Sequence, residues 1–266
     1  MNPRTDADMA GAEAPAHWGF TANRLKVLAI ALMFLDHFVV LFLPADALLR
    51  LLLRVPGRIV APIFCFLIAE GYRHTSNKRA YVLRLLGLAV ISHAPFNLAF
   101  GHPLLPSAGN IFPPTSVIWA LSMGLVALSA IKSEKIRAPF KPLILAACCL
   151  AAYTANWNFV AVLWICAFGF FSGDFRRQIA AFCAIAAVFH LAPVFLRHGS
   201  SPFWYLHLYQ LGVFLALPIL AAYNGRLGKK SKTLAYAFYL FYPAHLVALH
   251  LLNRFTSLAY ALGVAP

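Results

Sequence analysis

The stretch that decides the fold is residues 26–44, KVLAIALMFLDHFVVLFLP, an apolar run that is broken past its middle by Asp36 and His37. Its length and its near absence of charge are typical of a transmembrane helix. An aspartate inside such a helix costs on the order of 2.5–3.5 kcal/mol to insert. We therefore expect an intramembrane aspartate either to pair with another charged group or to have a function. The run therefore predicts a membrane span with two candidate functional residues.

The composition of the whole chain agrees with this prediction. Hydrophobic residues make up 62% of the sequence and charged residues 11%, which excludes a soluble globular domain and favours a multi-pass membrane protein. The net charge of +14 would indicate nucleic-acid binding in a soluble protein, but here the basic residues lie between apolar runs. We therefore expect the lipid bilayer as a partner and no nucleic acid. The five cysteines lie in apolar runs without CxxC spacing, so we expect no metal site.

The apolar runs predict an all-α, polytopic transmembrane helical bundle of about nine spans. Two of the runs, 142–155 and 158–173, are short, so a bundle of eight spans with one broken helix is also possible. The nine runs are 25–43, 58–72, 82–100, 115–131, 142–155, 158–173, 179–196, 203–222 and 234–252.

Alternate loops are basic, which predicts a cytoplasmic N-terminus under the positive-inside rule. The basic loops are 74–84, 132–141, 174–177 and 225–232. Arg50 and Arg54 do not fit, because they lie in a loop on the outer side. The segment LLRLLLRV (48–55) could lie in the membrane interface with its arginines reaching lipid head groups. The alternative is that one run is not a span.

The chain divides into one membrane domain and two short tails. Residues 1–20 are polar and lack the features of a signal peptide, so we expect a disordered cytoplasmic tail there. The transmembrane domain takes residues 21–256, and 257–266 form a short C-terminal tail.

Polar side chains recur at one depth in several spans, in the outer half of the bundle under this orientation. Intramembrane ionisable groups of this kind line cavities or pathways, although each alone could be a packing or hydrogen-bond partner. Because an unpaired buried charge is costly, we expect Asp36 to pair with Arg58, which leaves His37 for proton transfer. The set comprises Asp36, His37, Arg58, His93, Asn97, His190, His207 and His245.

A second polar group lies at the cytoplasmic mouth of the second and third spans. It consists of Arg73, His74, Lys78, Arg79 and Arg84. One interpretation is a topological anchor, and the other is a cradle for a phosphate-rich cytosolic ligand.

Three stretches of the chain together resemble the TraX family, whose founding member is an acetylase of F-pilin. They are LKVLAIALMFLDH (25–37), the segment 57–100 that begins GRIVAPIF and continues through GYRHT, and YLFYPAHLVAL (239–249). The combination of DH, GRxxxPxF, GYxHT and FYPxHL carries the resemblance, since each motif alone is weak. The chain departs from the family at His93, where a glutamine is expected.

The resemblance implies an acetyltransferase of the bacterial inner membrane. It would move an acetyl group from cytosolic acetyl-CoA, bound by the basic residues at the cytoplasmic mouth, to a periplasmic acceptor. For the founding member that acceptor is the N-terminal amine of pilin, and the resemblance implies a pilin amine here too, as in conjugation. His37 is then the expected general base. His245 and His93 would orient His37 or relay the proton that it accepts. Arg58 or Asn97 would stabilise the oxyanion.

Other functions share some of these features. An O- or N-acetyltransferase acting on an envelope sugar or lipid would use the same residues. A proton-coupled transporter would use Asp36, Glu70 and the histidines as a relay. A purely structural scaffold gives no reason for so many ionisable groups at one depth.

Overall fold

The computed structural model describes residues 19–44, 47–107, 110–229 and 231–261. The predicted N-terminal tail lies outside these residues except for its last two positions. The last helix runs to Ala261, so part of the predicted C-terminal tail is helical, and residues 262–266 lie outside the described part.

The described residues form helices and no β-strand. They include a π-helical turn, Ala186–Leu191, and a 3-10 helix, Trp204–Leu215, in addition to the α-helices. The α-helices are α1 Ala22–Phe42, α2 Leu48–Gly57, α3 Val60–His74, α4 Lys78–Phe100, α5 Val117–Ile131, α6 Phe140–Ala151, α7 Asn158–Phe170, α8 Phe175–Ile185, α9 Ala192–His198, α10 Ala216–Ala221 and α11 Lys232–Ala261.

Six helical stretches within the described ranges are long and apolar enough to cross a membrane. Three further apolar helices, α5, α6 and α7, are shorter. Together they overlap the nine apolar runs of the sequence, and the all-α polytopic bundle is confirmed. The stretch Leu48–His74 begins earlier than the predicted run 58–72, because the segment expected in a loop or at the interface is the helix α2. The number of helices that cross the bilayer and the side on which each loop lies stay predictions. The six stretches are Ala22–Phe42, Leu48–His74, Lys78–Phe100, Phe175–His198, Trp204–Ala221 and Thr233–Thr256.

Polar side chains at their first turns fix where several helices begin. Thr21 Oγ1 accepts a hydrogen bond from Arg24 N at 3.3 Å, and Asn77 Oδ1 accepts one from Ala80 N at 2.9 Å. Such caps satisfy amide groups that have no partner inside the helix. At its other end α4 stops at Gly101, whose φ of 68° is readily adopted by glycine.

The centre of the bundle is formed by α3, α5 and α7. Small residues let α5 and α7 approach closely, because Gly124 faces Ile165 and Gly169 faces Leu128. A Cβ atom at Gly124 would lie 2.5 Å from Ile165 Cδ1. The longer helices α1, α4 and α11 surround this centre and carry the polar side chains that concern function.

Candidate functional site

Asp36 and His37 are buried neighbours on α1 that face different helices. Consecutive residues of a helix point about 100° apart, so the two side chains cannot share one partner. Asp36 meets the junction of α2 and α3, where it pairs with Arg58 as the sequence predicted. His37 faces α11, where it meets His245.

The first cluster is an ion group of one carboxylate and two guanidiniums. Asp36 Oδ2 accepts from Arg58 Nη2 at 2.8 Å, and Asp36 Oδ1 accepts from Arg54 Nε at 3.3 Å. Arg54 Nη1 also donates to the Tyr209 hydroxyl at 3.2 Å. The Arg58 guanidinium lies 5.1 Å from the centre of the Trp157 ring, in a cation–π contact. These three ionic side chains together carry one excess positive charge.

The inward position of Arg54 was missed by the sequence analysis, which expected this arginine to reach lipid head groups. In the structure Arg54 turns towards Asp36, and Arg50 Nη1 donates to the Leu43 carbonyl at 2.8 Å. The spacing contained a signal, because Arg54 and Arg58 are four residues apart and such pairs share a helix face. A pair of arginines on one face of an apolar segment indicates a shared anionic partner.

A glycine makes the ion group possible. Gly57 lies at the end of α2 against α1, and a Cβ atom there would lie 2.6 Å from Asp36 Cβ. Real Cβ atoms do not approach so closely, so a larger residue must push α2 away from α1. Gly87 on α4 has no atom within 4 Å of its Cβ position and offers a matched comparison.

We expect Gly57→Ala to destabilise the protein by about 1–3 kcal/mol, the usual effect of overpacking a close contact. Gly87→Ala should instead be neutral or stabilising, since alanine is favoured over glycine inside helices. Thermal unfolding of the two variants in the same detergent measures the difference. Equal melting temperatures for the two variants would contradict the proposed close contact.

The second cluster is a pair of histidines, His37 on α1 and His245 on α11. His37 Nδ1 lies 2.8 Å from His245 Nε2, and His245 Nδ1 lies 2.8 Å from the Phe241 carbonyl oxygen. A carbonyl can only accept, so His245 Nδ1 carries the proton, and in a neutral ring Nε2 then carries the lone pair. His37 Nδ1–H must therefore donate to His245, which leaves the lone pair of His37 on Nε2.

In this tautomer His37 can act as a base through Nε2. Among the described residues, every hydrogen bond to the His37 ring is made at Nδ1, so Nε2 keeps its lone pair for another molecule. Aromatic rings hold the pair in place. The Phe241 ring stacks on His245 with centres 4.8 Å apart, and the Phe100 ring meets His37 edge-on at 5.4 Å.

A cavity of about 490 Å³ leads from one end of the bundle towards the histidine pair. At that end its lining includes His74, Arg84 and Lys26, and we call this the basic mouth. At the inner end it reaches Tyr242, whose ring centre lies 6.5 Å from that of His37 and 5.5 Å from that of His245. The volume is in the range of small-molecule sites in proteins.

The two helices that carry the histidines also line the cavity along their length. On each helix the lining residues form a single stripe along one face, and a histidine of the pair is the next residue on that face, just beyond the lining. From Lys26 to His37, α1 rises about 16 Å at 1.5 Å per residue. The two stripes are Lys26, Ile30 and Met33 on α1, followed by His37, and Ala235, Phe238, Tyr239 and Tyr242 on α11, followed by His245.

The structure separates the residues that the sequence assigned to the cytoplasmic mouth. His74 and Arg84 line the cavity, whereas Arg73, Lys78 and Arg79 are not part of its lining. The carboxylate of Glu70 lies 3.7 Å from Arg73 and 3.4 Å from His74. Glu70 therefore offsets part of the positive charge on that side of the mouth.

His93 and Asn97 interact with each other on α4. His93 Nε2 donates to the Leu104 carbonyl at 2.9 Å, which leaves the lone pair on Nδ1. The Asn97 amide nitrogen lies 3.4 Å from that Nδ1 atom and 3.1 Å from Nε2 of the same ring. Asn97 is fully buried, and its Oδ1 has no hydrogen-bond partner among the described residues. Neither residue hydrogen-bonds to the histidine pair, although Asn97 lies one helical turn before Phe100.

The remaining polar groups of the predicted chamber divide between two places. His190 stacks on Trp157 at 4.9 Å, and Trp157 also contacts Arg58, so His190 joins the ion group. His207 stacks on His198 at 3.9 Å instead. The sequence thus predicted one chamber, whereas the structure has two clusters, an ion group and a histidine pair. They adjoin on α1, where Asp36 belongs to the first and His37 to the second.

Two comparisons with known proteins found a similarity that covers most of the chain. The family model described as TraX protein matches residues 21–253. The probable fimbrial assembly protein FimC, serogroup H1, of Dichelobacter nodosus is 30% identical over 232 residues, which cover 86% of this chain and 94% of that protein. No solved structure matches the chain. The family model covers most of the chain, including the ion group, the histidine pair and the cavity, so this multi-pass membrane protein belongs to the TraX family.

Proposed function

We propose that the protein is an acetyltransferase of the bacterial inner membrane that acetylates the N-terminal amine of a pilin. Acetyl-CoA would enter from the cytosol at the basic mouth, and the amine would reach the histidine pair from the opposite side. Family membership supports a role in pilin biology, and so does the similarity to a protein named for fimbrial assembly. One observation carries the proposal: a single cavity runs from the basic mouth to Tyr242, whose ring lies next to both rings of the histidine pair.

The proposed chemistry uses His37 as the general base. An α-amino group has a pKa of about 7.7–8.0, so a histidine can take its proton near neutral pH. As the amine nitrogen attacks the thioester carbonyl, a C–N bond forms and His37 Nε2 accepts the proton. The C–S bond then breaks, and the coenzyme leaves as a thiolate that takes up a proton. His245 keeps Nδ1 of His37 occupied and so directs Nε2 to the reaction.

The ion group has a different part in this proposal. An oxyanion develops on the carbonyl oxygen, and donors in a water-poor site stabilise such a charge strongly. Arg58 is a candidate because its Nε is buried and has no hydrogen-bond partner among the described residues, while Asp36 holds the other side of the guanidinium. The Asn97 amide is the second candidate. His93 orients that amide in this scheme.

The experiment that tests the proposal is acetyl transfer by the purified protein in proteoliposomes. Acetyl-CoA with a labelled acetyl group is supplied together with a membrane-embedded pilin, and the intact mass of the pilin is measured. We expect a mass increase of one acetyl group on the N-terminal peptide, absent from empty liposomes. Label on an envelope sugar or lipid in place of the pilin would favour the other acetyltransferase function. Proton-coupled uptake of a solute without any transfer would favour a transporter and overturn the proposal.

A further inference from the structure

A smaller cavity of about 350 Å³ adjoins the larger one at the basic mouth. The start of α1 forms one wall, and the chain that leads into α11 forms the other. Its polar lining residues are Asn23, Lys26, Lys229 and Ser231. The two cavities have four lining residues in common, which means that they are adjacent parts of one depression. The shared residues are Lys26, Leu227, Ala235 and Phe238.

The wall that carries Lys229 is fixed to α1 by hydrogen bonds. Asn23 Nδ2 donates to the Lys229 carbonyl at 2.8 Å. The backbone N–H groups of Ala22 and Asn23 donate to the carbonyls of Arg226 and Leu227 at 2.8 and 3.1 Å. The backbone of Lys229 therefore has a defined position opposite Lys26.

A glycine tightens the same turn. Gly228 has a φ of +87°, in the left-handed region, and a Cβ atom there would lie 2.8 Å from Thr21 Oγ1. The turn thus packs directly on the residue that caps α1. The backbone that forms this wall of the smaller cavity, up to Lys229, is therefore held against the start of α1.

No carboxylate of the described residues forms an ion pair with Lys26 or Lys229, the two lysines of this cavity. The Lys26 ammonium lies 5.3 Å from the centre of the Phe238 ring, which leaves its hydrogen-bond donors for a ligand. Arg73 and His74, two of the candidate phosphate ligands from the sequence, lie next to the Glu70 carboxylate, which offsets part of their charge.

We infer that the smaller cavity binds the phosphate groups of the acyl donor through Lys26 and Lys229. The inference rests on the proposed function and assigns its donor two positions: the phosphate-bearing end at these lysines, and the long thioester arm in the larger cavity. Two ammonium groups without a carboxylate partner suit a multiply charged anion. The α1 stripe then leads the arm from Lys26 towards His37.

The same chemistry would bind the phosphate of an anionic lipid head group, because this end of the bundle lies at a membrane surface. The experiment separates the two sources by donor and by lipid. The protein is placed in nanodiscs of either neutral phosphatidylcholine or anionic phosphatidylglycerol. Acetyl transfer is measured with acetyl-CoA and with S-acetylpantetheine, a donor that has the same reactive end and lacks phosphate.

For Lys26→Gln/Lys229→Gln we expect the KM for acetyl-CoA to rise about tenfold, the effect of losing charge-assisted hydrogen bonds. The KM for S-acetylpantetheine should not change. Lys26→Arg/Lys229→Arg keeps both charges and should keep the KM for acetyl-CoA, which distinguishes a lost charge from a disturbed fold. The matched control is Lys135→Gln, which removes one exposed charge outside both cavities.

Equal effects of the glutamine variant on both donors, or no effect on either, would overturn the inference. An effect seen only in phosphatidylglycerol discs would identify a lipid head group as the ligand. Equilibrium dialysis of coenzyme A gives a second measurement that needs no turnover. A wild-type protein that binds coenzyme A but transfers no acetyl group would contradict the proposed function alone, whereas equally tight binding by the glutamine variant would contradict the phosphate site.

Discussion

His37→Gln is expected to lower the rate of acetyl transfer by about 100-fold or more, since general acid–base catalysis contributes about 10²–10⁴-fold. Glutamine fills much of the same space but offers no basic nitrogen for the amine proton. The measurement is the initial rate with labelled acetyl-CoA and saturating acceptor. His250→Gln is the matched control, because it makes the same substitution at a histidine of α11 that has no part in the pair.

A second histidine variant tests the assignment of the proton. His245→Ala removes the acceptor of the His37 Nδ1 proton, so kcat should fall while the KM for acetyl-CoA stays the same. Because His245 acts through His37, adding His245→Ala to His37→Gln should cause no further loss. A His37→Gln enzyme with the wild-type rate would remove His37 from the mechanism.

Asp36→Asn is expected to destabilise the protein by about 3–5 kcal/mol, the usual effect of removing one partner from a buried ion pair. The substitution leaves two guanidiniums, Arg54 and Arg58, without a counter-charge in the interior of the bundle. The free energy of unfolding can be measured in mixed micelles with increasing denaturing detergent. Adding Arg58→Gln to Asp36→Asn should recover part of the loss, because it removes one of the unpaired charges.

Asp174→Asn is the matched control for this prediction. Asp174 also pairs with an arginine, Arg177, at 3.2 Å, but both side chains are exposed. Asparagine caps a helix as well as aspartate does, so the cap of α8 is kept, and the lost pair should cost less than about 1 kcal/mol. Equal losses for Asp36→Asn and Asp174→Asn would mean that burial does not strengthen the first pair.

The parts of the structure that follow from short-range physics were predictable from the sequence. Hydropathy located most of the helices, with α2 as the exception, because each must hide its own backbone from lipid. The cost of an unpaired charge also identified Arg58 as the partner of Asp36. The same argument should have included Arg54, but a rule about loop charges was applied to a segment that belongs to a helix.

The parts that depend on distant segments were not predictable. Asn23 and Lys229 are 206 residues apart, and no pattern in either segment indicates that they meet. The sequence therefore indicated phosphate binding by the local group of basic residues around Arg73. His245 was a candidate, yet the assignment of its proton depends on the Phe241 carbonyl, which only the folded helix places within reach.

The two clusters differ in how much of the chain must exist before they can form. The ion pair joins residues 22 positions apart, so it can close once the first hairpin has been synthesised and inserted. The histidine pair joins residues 208 positions apart and has to wait for the final helix. A nascent chain on the ribosome would thus pair its aspartate early, whereas His37 would gain the histidine that orients it only when the last helix is in place.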